Sequence, residues 1–259
     1  MTRRLHPGPP LTRRRLLLSG VAGVAGLAAG YGGVKAFNWR KNEILNGGEW
    51  ISREVHRALF PNTLAREFSE ADISPRFHVN GNSDCDDETY QAHAAQGFAN
   101  WKLEIGGLVE RPLKLSLAEL RAMPAREQIT RHDCVEGWSA IAKWKGVQLS
   151  ALLERAGLKP QARYIVFHAA DKMFATNYYE SIDLVDARHP QTILAYDMND
   201  VPLPRGHGAP VRLRVERQLG YKHCKFVMRV EAVESLSGIV LGNGGLWEDA
   251  AGYAWYAGI

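Results

Sequence analysis

Ile129-Thr130-Arg131-His132-Asp133-Cys134-Val135-Glu136-Gly137-Trp138-Ser139 is the stretch on which the reading of this chain turns. Ile129 to Cys134 reads as a strand that delivers Cys134 to its end, followed by a carboxylate, a glycine and an aromatic residue. Taken alone, a single cysteine in such a place is most often a small buried hydrophobe. The chain has no Cys-x-x-Cys pair, so a zinc or iron–sulfur cage has no ligand set. A cysteine nucleophile needs a base nearby, and His132 is the candidate.

Around this strand, the chain from Trp101 onward reads as α+β. Trp101 to Ile105 alternates as a strand and stops at Gly106-Gly107. Ser116-Leu117-Ala118-Glu119 is a capping box, which starts a short helix that ends near Met123 before Pro124. Ser150 is read as the cap of a second helix, which Gly157 terminates. Arg163 to His168 and Thr192 to Tyr196 read as strands, the latter followed by a turn at Met198-Asn199-Asp200. Val211–Glu216 and Lys225–Val233 complete a strand-rich second half. Irregular loops join these strands where regular crossover helices would be needed for a doubly wound sheet. Upstream, residues 80–97 read as a loop, because Asn, Gly, Ser and Asp crowd Asn80–Asp87. Trp50 to Phe60 has helical apolar spacing and stops at Pro61.

A second constellation lies in the last quarter. His207-Gly208-Ala209-Pro210-Val211-Arg212 is followed by Arg217-Gln218-Leu219-Gly220-Tyr221-Lys222-His223-Cys224-Lys225. The glycines free the backbone to approach a ligand. Arg212 can hold a phosphate with two bonds, and Lys222 and Lys225 add point charges. Successive backbone N–H groups from Gly220 to Lys225 can form an anion nest. A basic surface turn between two strands is the competing reading.

The first thirty residues read as a targeting segment. Thr12-Arg13-Arg14-Arg15-Leu16-Leu17 puts paired arginines before a Gly- and Ala-rich apolar run, Leu16 to Ala29. That is the layout of a twin-arginine export signal, a route taken by folded, often cofactor-loaded proteins. A transmembrane anchor is the alternative, but about 20 strongly apolar residues are needed to span a bilayer. Residues 1–30 hold five arginines and no acid; without them, 27 basic residues face 28 acidic ones. The body is therefore near neutral, and nucleic acid is not an expected partner. At 46% hydrophobic and 23% charged residues, the chain can build an ordinary core. Its three cysteines, Cys85, Cys134 and Cys224, do not make a disulfide framework.

From about Phe77 to Ile259 the sequence resembles the molybdopterin domain of the sulfite oxidase superfamily, in particular exported bacterial members related to the catalytic subunit of periplasmic methionine sulfoxide reductase. The resemblance is carried by Leu108-Val109-Glu110-Arg111-Pro112, Cys134-Val135-Glu136-Gly137-Trp138-Ser139, Leu194-Ala195-Tyr196-Asp197-Met198-Asn199, Pro202-Leu203-Pro204, the 207–212 motif and Gly220-Tyr221-Lys222 with Lys225. It implies a strand-rich sulfite-oxidase-type domain at 77–259, which follows the twin-arginine signal or uncleaved anchor read at 1–30 and a connector with a helix at 31–76. It also implies a molybdenum–molybdopterin cofactor. Cys134 matches the cysteine that ligates molybdenum. His207 matches a polar pterin contact, Arg212 a phosphate-binding arginine, and His223, Cys224 and Lys225 a tripeptide that touches the cofactor partly through its backbone. Asn80 falls where the family places an N-terminal pterin contact. Ala169 stands where the reductase has a cofactor-contacting threonine. Glu136, two residues past Cys134, is read as a proton relay or second-layer group, with a structural salt bridge as its plainer role. Trp138 is read as core packing, and His132 and His168 as satisfied histidines. The compact anion site, with no second nucleotide-binding element, points to a mononucleotide-type pterin without a dinucleotide extension.

Oxygen-atom transfer in the periplasm is the expected activity, by reduction of a small S-oxide or N-oxide. Sulfite oxidation is the alternative. True sulfite oxidases carry arginines four and five residues after the cysteine, where this chain has Trp138 and Ser139. The chain ends at Ile259, before the added immunoglobulin-like dimerisation domain of those enzymes, so a monomer is expected. No haem or flavin motif is present, so electrons are expected from a membrane haem b-type protein or a cytochrome c. A non-catalytic periplasmic binding protein is the reading from another class, and Cys134 with Arg212 and Lys225 argues against it.

Overall fold

The computed structural model describes residues 47–60, 62–174 and 176–259, so the leader and most of the connector lie outside the described residues. The chain divides into two units, residues 1–51 and 52–259. In the first, described residues 47–51 are helical; the second carries the fold set out below. No helix among the described residues is long and apolar enough to cross a membrane. All three cysteines are buried free thiols.

Two five-stranded sheets make up the second unit. Alternation decides the inward faces: strand β1 (Lys102–Gly107) buries Leu103 and Ile105 between outward-facing Lys102 and Glu104. The first sheet runs in the order β2 (Leu113–Ser116), β1, β10 (Val227–Val233), β5 (Tyr164–Met173), β6 (Thr176–Asp183). Only β1 and β10 pair in parallel in it. The second sheet is antiparallel: β3 (Ala125–Asp133), β4 (Ser139–Gln148), β7 (Ile193–Met198), β8 (Val201–Pro202), with β9 (Arg212–Arg214) also on β7. The main core joins Leu103, Ile105, Ile165, Phe167 and Val230 of the first sheet to Val147, Leu194, Tyr196 and Leu213 of the second. This mixed α+β arrangement is the expected fold class.

Local signals are met where the neighbourhood is local. Ser116 and Glu119 form the capping box of helix Leu117–Ala122, and Gly157 ends helix Leu149–Ala156 at φ +73°. Asn199 and Asp200 turn β7 into β8 with φ of +50° and +65°. Two expectations fail. Helix Leu149–Ala156 is entered from Gln148, which makes no side-chain cap, and Ser150 lies inside it. The cause is the sheet: Gln148 still pairs with Ile193 on β7, and the Leu149 N–H goes to the Thr192 carbonyl, which fixes the start of the helix. Residues 80–97 are not all loop either. Glu88–Ala95 is a helix capped by the Asp87 carboxylate, which accepts from the Tyr90 N–H. It buries a single residue, Tyr90, so its sequence has no apolar stripe to read. The expected connector helix is present at residues 52–59, held by Arg57 on Asp183 and Asp186 at 2.9 Å.

Candidate active site

Strand β3 ends at Asp133, and the Cys134–Trp138 turn leads into β4. The Cys134 N–H donates to the Trp138 carbonyl at 2.9 Å, and the Gly137 N–H returns to the Cys134 carbonyl at 3.0 Å. Gly137, at φ +89°, lets so short a turn close. Cys134 is thereby held on the wall of a cavity of about 270 Å3, 9% exposed. Burial pushes its thiol pKa upward, so the free thiol is a weak nucleophile. Its sequence neighbour His132 is no general base for it. His132 Nδ1 pairs with Arg214 Nη1 at 2.9 Å, while Nε2 bonds to nothing among the described residues. Desolvation, then the charge of Arg214, drives the His132 pKa well down. The cysteine-nucleophile reading therefore has no dyad.

The same cavity is lined by Asn80, Glu136, His223 and Lys225 from the sequence-derived set, and by Asp171, Tyr178, Tyr221, Trp247 and Tyr253, which that reading did not single out as site residues. Arg212 is fully buried. Its guanidinium donates to the carbonyls of His207 (3.1 Å) and His223 (3.4 Å), its Nε has no partner, and its charge lies 5.1 Å from the Trp144 ring centroid. The Lys225 ammonium donates to the carbonyls of Asn82 and Gly206. Gly208 is required here, since a Cβ on it would stand 2.7 Å from Lys225 Cβ. Gly220 is required likewise, because its Cβ would meet His132 Nε2 at 2.4 Å. Phe77 joins these parts, with its ring 5.4 Å from both His132 and His207 and 5.5 Å from Trp144.

Electrostatically, this is a buried positive cluster short of an anion. Desolvation comes first among the causes, then repulsion from neighbouring cations. Together they lower Arg212 to about 9, Lys225 to about 7 and His207 to about 4, and His223 falls well below its ordinary value. Buried polar atoms without partners among the described residues gather at the same place: Arg212 Nε, His207 Nδ1, His223 Nδ1, Asn80 Oδ1 and Asp171 Oδ1. Native interiors seldom leave such atoms unpaired, so a cluster of them marks the footprint of an absent ligand. Donors, acceptors and uncompensated charge together fit a pterin with a phosphate tail.

Three sequence readings change. Lys222 is not a phosphate contact: it is buried in an ion triad with Glu180 and, at 2.7 Å, Glu248. His132 is not a satisfied core histidine, since its free nitrogen faces the Gly220 backbone and its ring stands 5.0 Å from His223. Trp138 is half-buried against Phe77, His78 and His132, and its Nε1–H donates to Glu136 Oε2 at 2.9 Å; it is not core packing. Glu136 thus makes an indole hydrogen bond at the cavity lip. The Cys224 side chain belongs to the main core, which leaves its backbone for any ligand. Ala169 is buried in the same core. His168 is satisfied as expected, by Glu231 at 2.8 Å.

Comparison with known proteins finds similar chains. The oxidoreductase molybdopterin binding domain matches residues 90–238. A protein of Azospira oryzae, provisionally named protein-methionine-sulfoxide reductase subunit YedZ1, is 39% identical over 198 residues, which are 76% of this chain and 69% of that protein. The protein-methionine-sulfoxide reductase catalytic subunit MsrP of Campylobacter jejuni is 33% identical over 185 residues, 66% of this chain and 61% of that one. The chain spans about half the length of the Xanthomonas relatives it matches. Among solved structures, the sulfane dehydrogenase SoxCD of Paracoccus pantotrophus shares the fold, with a TM-score of 0.51 at 23% identity over 60% of this chain and 41% of that one.

Proposed function

Since the chain belongs to the oxidoreductase molybdopterin-binding domain family, we propose that it is an exported molybdenum–pterin oxidoreductase that reduces an S-oxide with electrons from a haem-bearing partner. One observation carries the reading: Cys134 sits on a cavity bordered by a buried, anion-deficient cluster whose polar atoms lack partners. A non-catalytic binding protein would have no use for that pairing.

In this reading Cys134 is the protein ligand to the metal, a soft thiolate suited to a sulfur-rich centre. Arg212 and Lys225 hold the anionic tail, and Asn80, His207, His223 and the 223–225 backbone hold the pterin. The bound cofactor supplies the two-electron, oxygen-transfer chemistry. Overall, the sulfur–oxygen bond breaks, two electrons and two protons are taken up, and a thioether and water leave. Asp171 lines the same cavity, and burial is the chief cause that pushes its carboxyl pKa up. The lip beside Cys134 favours a neutral oxide over sulfite, because a dianion there would meet Glu136 and an indole where sulfite oxidases have arginines. The names of the relatives favour an S-oxide over an N-oxide.

Two expectations test the reading directly. Protein matured in a molybdopterin-competent host should carry one molybdenum and one mononucleotide-type pterin. Mass analysis of the released pterin that found a guanine or cytosine dinucleotide would contradict it. Changing Arg13 and Arg14 together to lysine should strand folded protein in the cytoplasm, since paired arginines are the receptor-read part of such a leader. Normal periplasmic levels of the double variant on fractionation would refute export by this route.

A further inference from the structure

Two loops beside the cavity hold large apolar side chains out in water. Phe174, at the tip of the β5–β6 hairpin, is 66% exposed; Val240 and Leu241, before the last helix, are 58% and 73% exposed. Phe174 and Val240 have φ of +53° and +50°. That backbone conformation is uncommon for any residue with a side chain and least comfortable for a β-branched one. Strained backbone of this kind persists where the surroundings enforce it, often at ligand clamps. In the loop that carries Val240 and Leu241, Asp249 enforces it. Its carboxylate accepts from the Leu241 N–H (3.1 Å), from the Asn243 N–H (3.1 Å) and side chain (2.9 Å), and from the Tyr179 hydroxyl.

This shelf is continuous with the cavity. The Phe174 ring stands edge-on to Trp247 at 5.5 Å, Trp247 stacks on Tyr253 at 5.5 Å, and Tyr253 meets Tyr221 at 5.1 Å. Trp247, Tyr253 and Tyr221 line the Cys134 cavity. On its other side Phe174 helps line a second hollow of about 110 Å3 with Val240, Leu241 and Leu246. That hollow has room for one aliphatic side chain and none for a second cofactor.

We propose that the shelf binds an apolar side chain flanking an S-oxidised methionine in an extended polypeptide, while the S-oxide itself enters the cavity beside Cys134. The proposal rests on the S-oxide reading above. A free small oxide would leave the shelf wet, whereas an extended chain entering over Trp247 places its next side chains there. The exposed apolar surface then has a purpose. Because Asp249 already fixes the loop, little ordering cost is left for binding.

The test uses the holoenzyme, dye-supplied electrons and two peptides of equal length, each with one methionine S-oxide, flanked by leucine in one and glycine in the other. The wild-type enzyme should prefer the leucine peptide about tenfold in kcat/KM, equivalent to ~1.4 kcal/mol, with the difference in KM. Phe174→Ser and Leu241→Ser, both surface changes, should bring the two peptides level. Equal rates in the wild type, or a preference that survives both substitutions, would overturn the proposal. So would variants that keep the preference and lose only reduction by a quinol-driven membrane fraction, since the shelf would then belong to the electron donor. If the wild type reduced neither peptide, the S-oxide reading would fall on its own account. Titration of both peptides into the holoenzyme would still decide the shelf: a leucine preference abolished by Phe174→Ser supports it, and equal binding refutes it.

Discussion

Cys134→Ser is expected to lower turnover by roughly 100-fold or more, since even the outer partners of a metal site are worth about 10–100-fold, while the fold and much of the pterin remain. Serine fits the turn, because the bonds that hold it run through backbone, Cys134 N–H to Trp138 and Gly137 N–H to Cys134. What changes is the donor: an oxygen is harder and gives less electron density than a thiolate. In the proposed reading the pterin is held by groups outside this turn, Arg212 and the 223–225 segment, so its content should fall little. The measurement is molybdenum, pterin and dye-driven reductase activity on the same preparation, with the EPR signal of the partly reduced enzyme beside them. Wild-type activity with an unchanged EPR signal would remove Cys134 from the metal, and the central assignment with it.

Arg212→Ala should do the reverse, emptying the protein of cofactor before it alters what the loaded fraction can do. A hydrogen bond to a charged group is worth about 1.5–3 kcal/mol, or roughly 10–100-fold in affinity. The loss should show as low pterin content on purification. Among the described residues the buried guanidinium has no carboxylate bonded to it and one N–H without a partner, so the empty protein gives up little charge pairing when it goes. It does lose two bonds, to the carbonyls of His207 and His223, so a modest fall in the Tm of the empty form is expected as well. Arg212→Lys keeps the charge but not the fork that reaches both carbonyls, and should recover only part of the content. Full cofactor occupancy in Arg212→Ala would exclude this arginine as the anion partner.

The two substitutions separate the metal's chemistry from the cofactor's attachment, a division already visible along the chain. The place of Cys134 at a strand end, before Val135-Glu136-Gly137-Trp138, could be read from the sequence because that signal is short; its expected role came from the family resemblance. The capping box of Ser116 and Glu119, the Gly157 stop and the Asn199-Asp200 turn were legible for the same reason. Each is decided by residues within a few positions, through bonds the backbone makes locally. The 207–212 and 220–225 motifs stood out through their residue types and their order, and Asn80 through the family resemblance alone.

Tertiary structure decided what those groups face. Lys222 looked like one more cation in a basic turn, but Glu180 on β6 and Glu248 on the last helix take it inward, 42 and 26 residues away in sequence. His132 looked like a filled core position until Arg214, on β9, was set against one nitrogen and Gly220 against the other. Asp171 gave no local sign, because only its burial in the folded cavity pushes the pKa of an ordinary acid upward. The start of helix Leu149–Ala156 passed from Ser150 to Gln148 because β7 still pairs there. Periods and caps are set by neighbours along the chain and can be read from the sequence; charge pairing and desolvation are set by neighbours across it, and they take shape only when the two sheets close on one another.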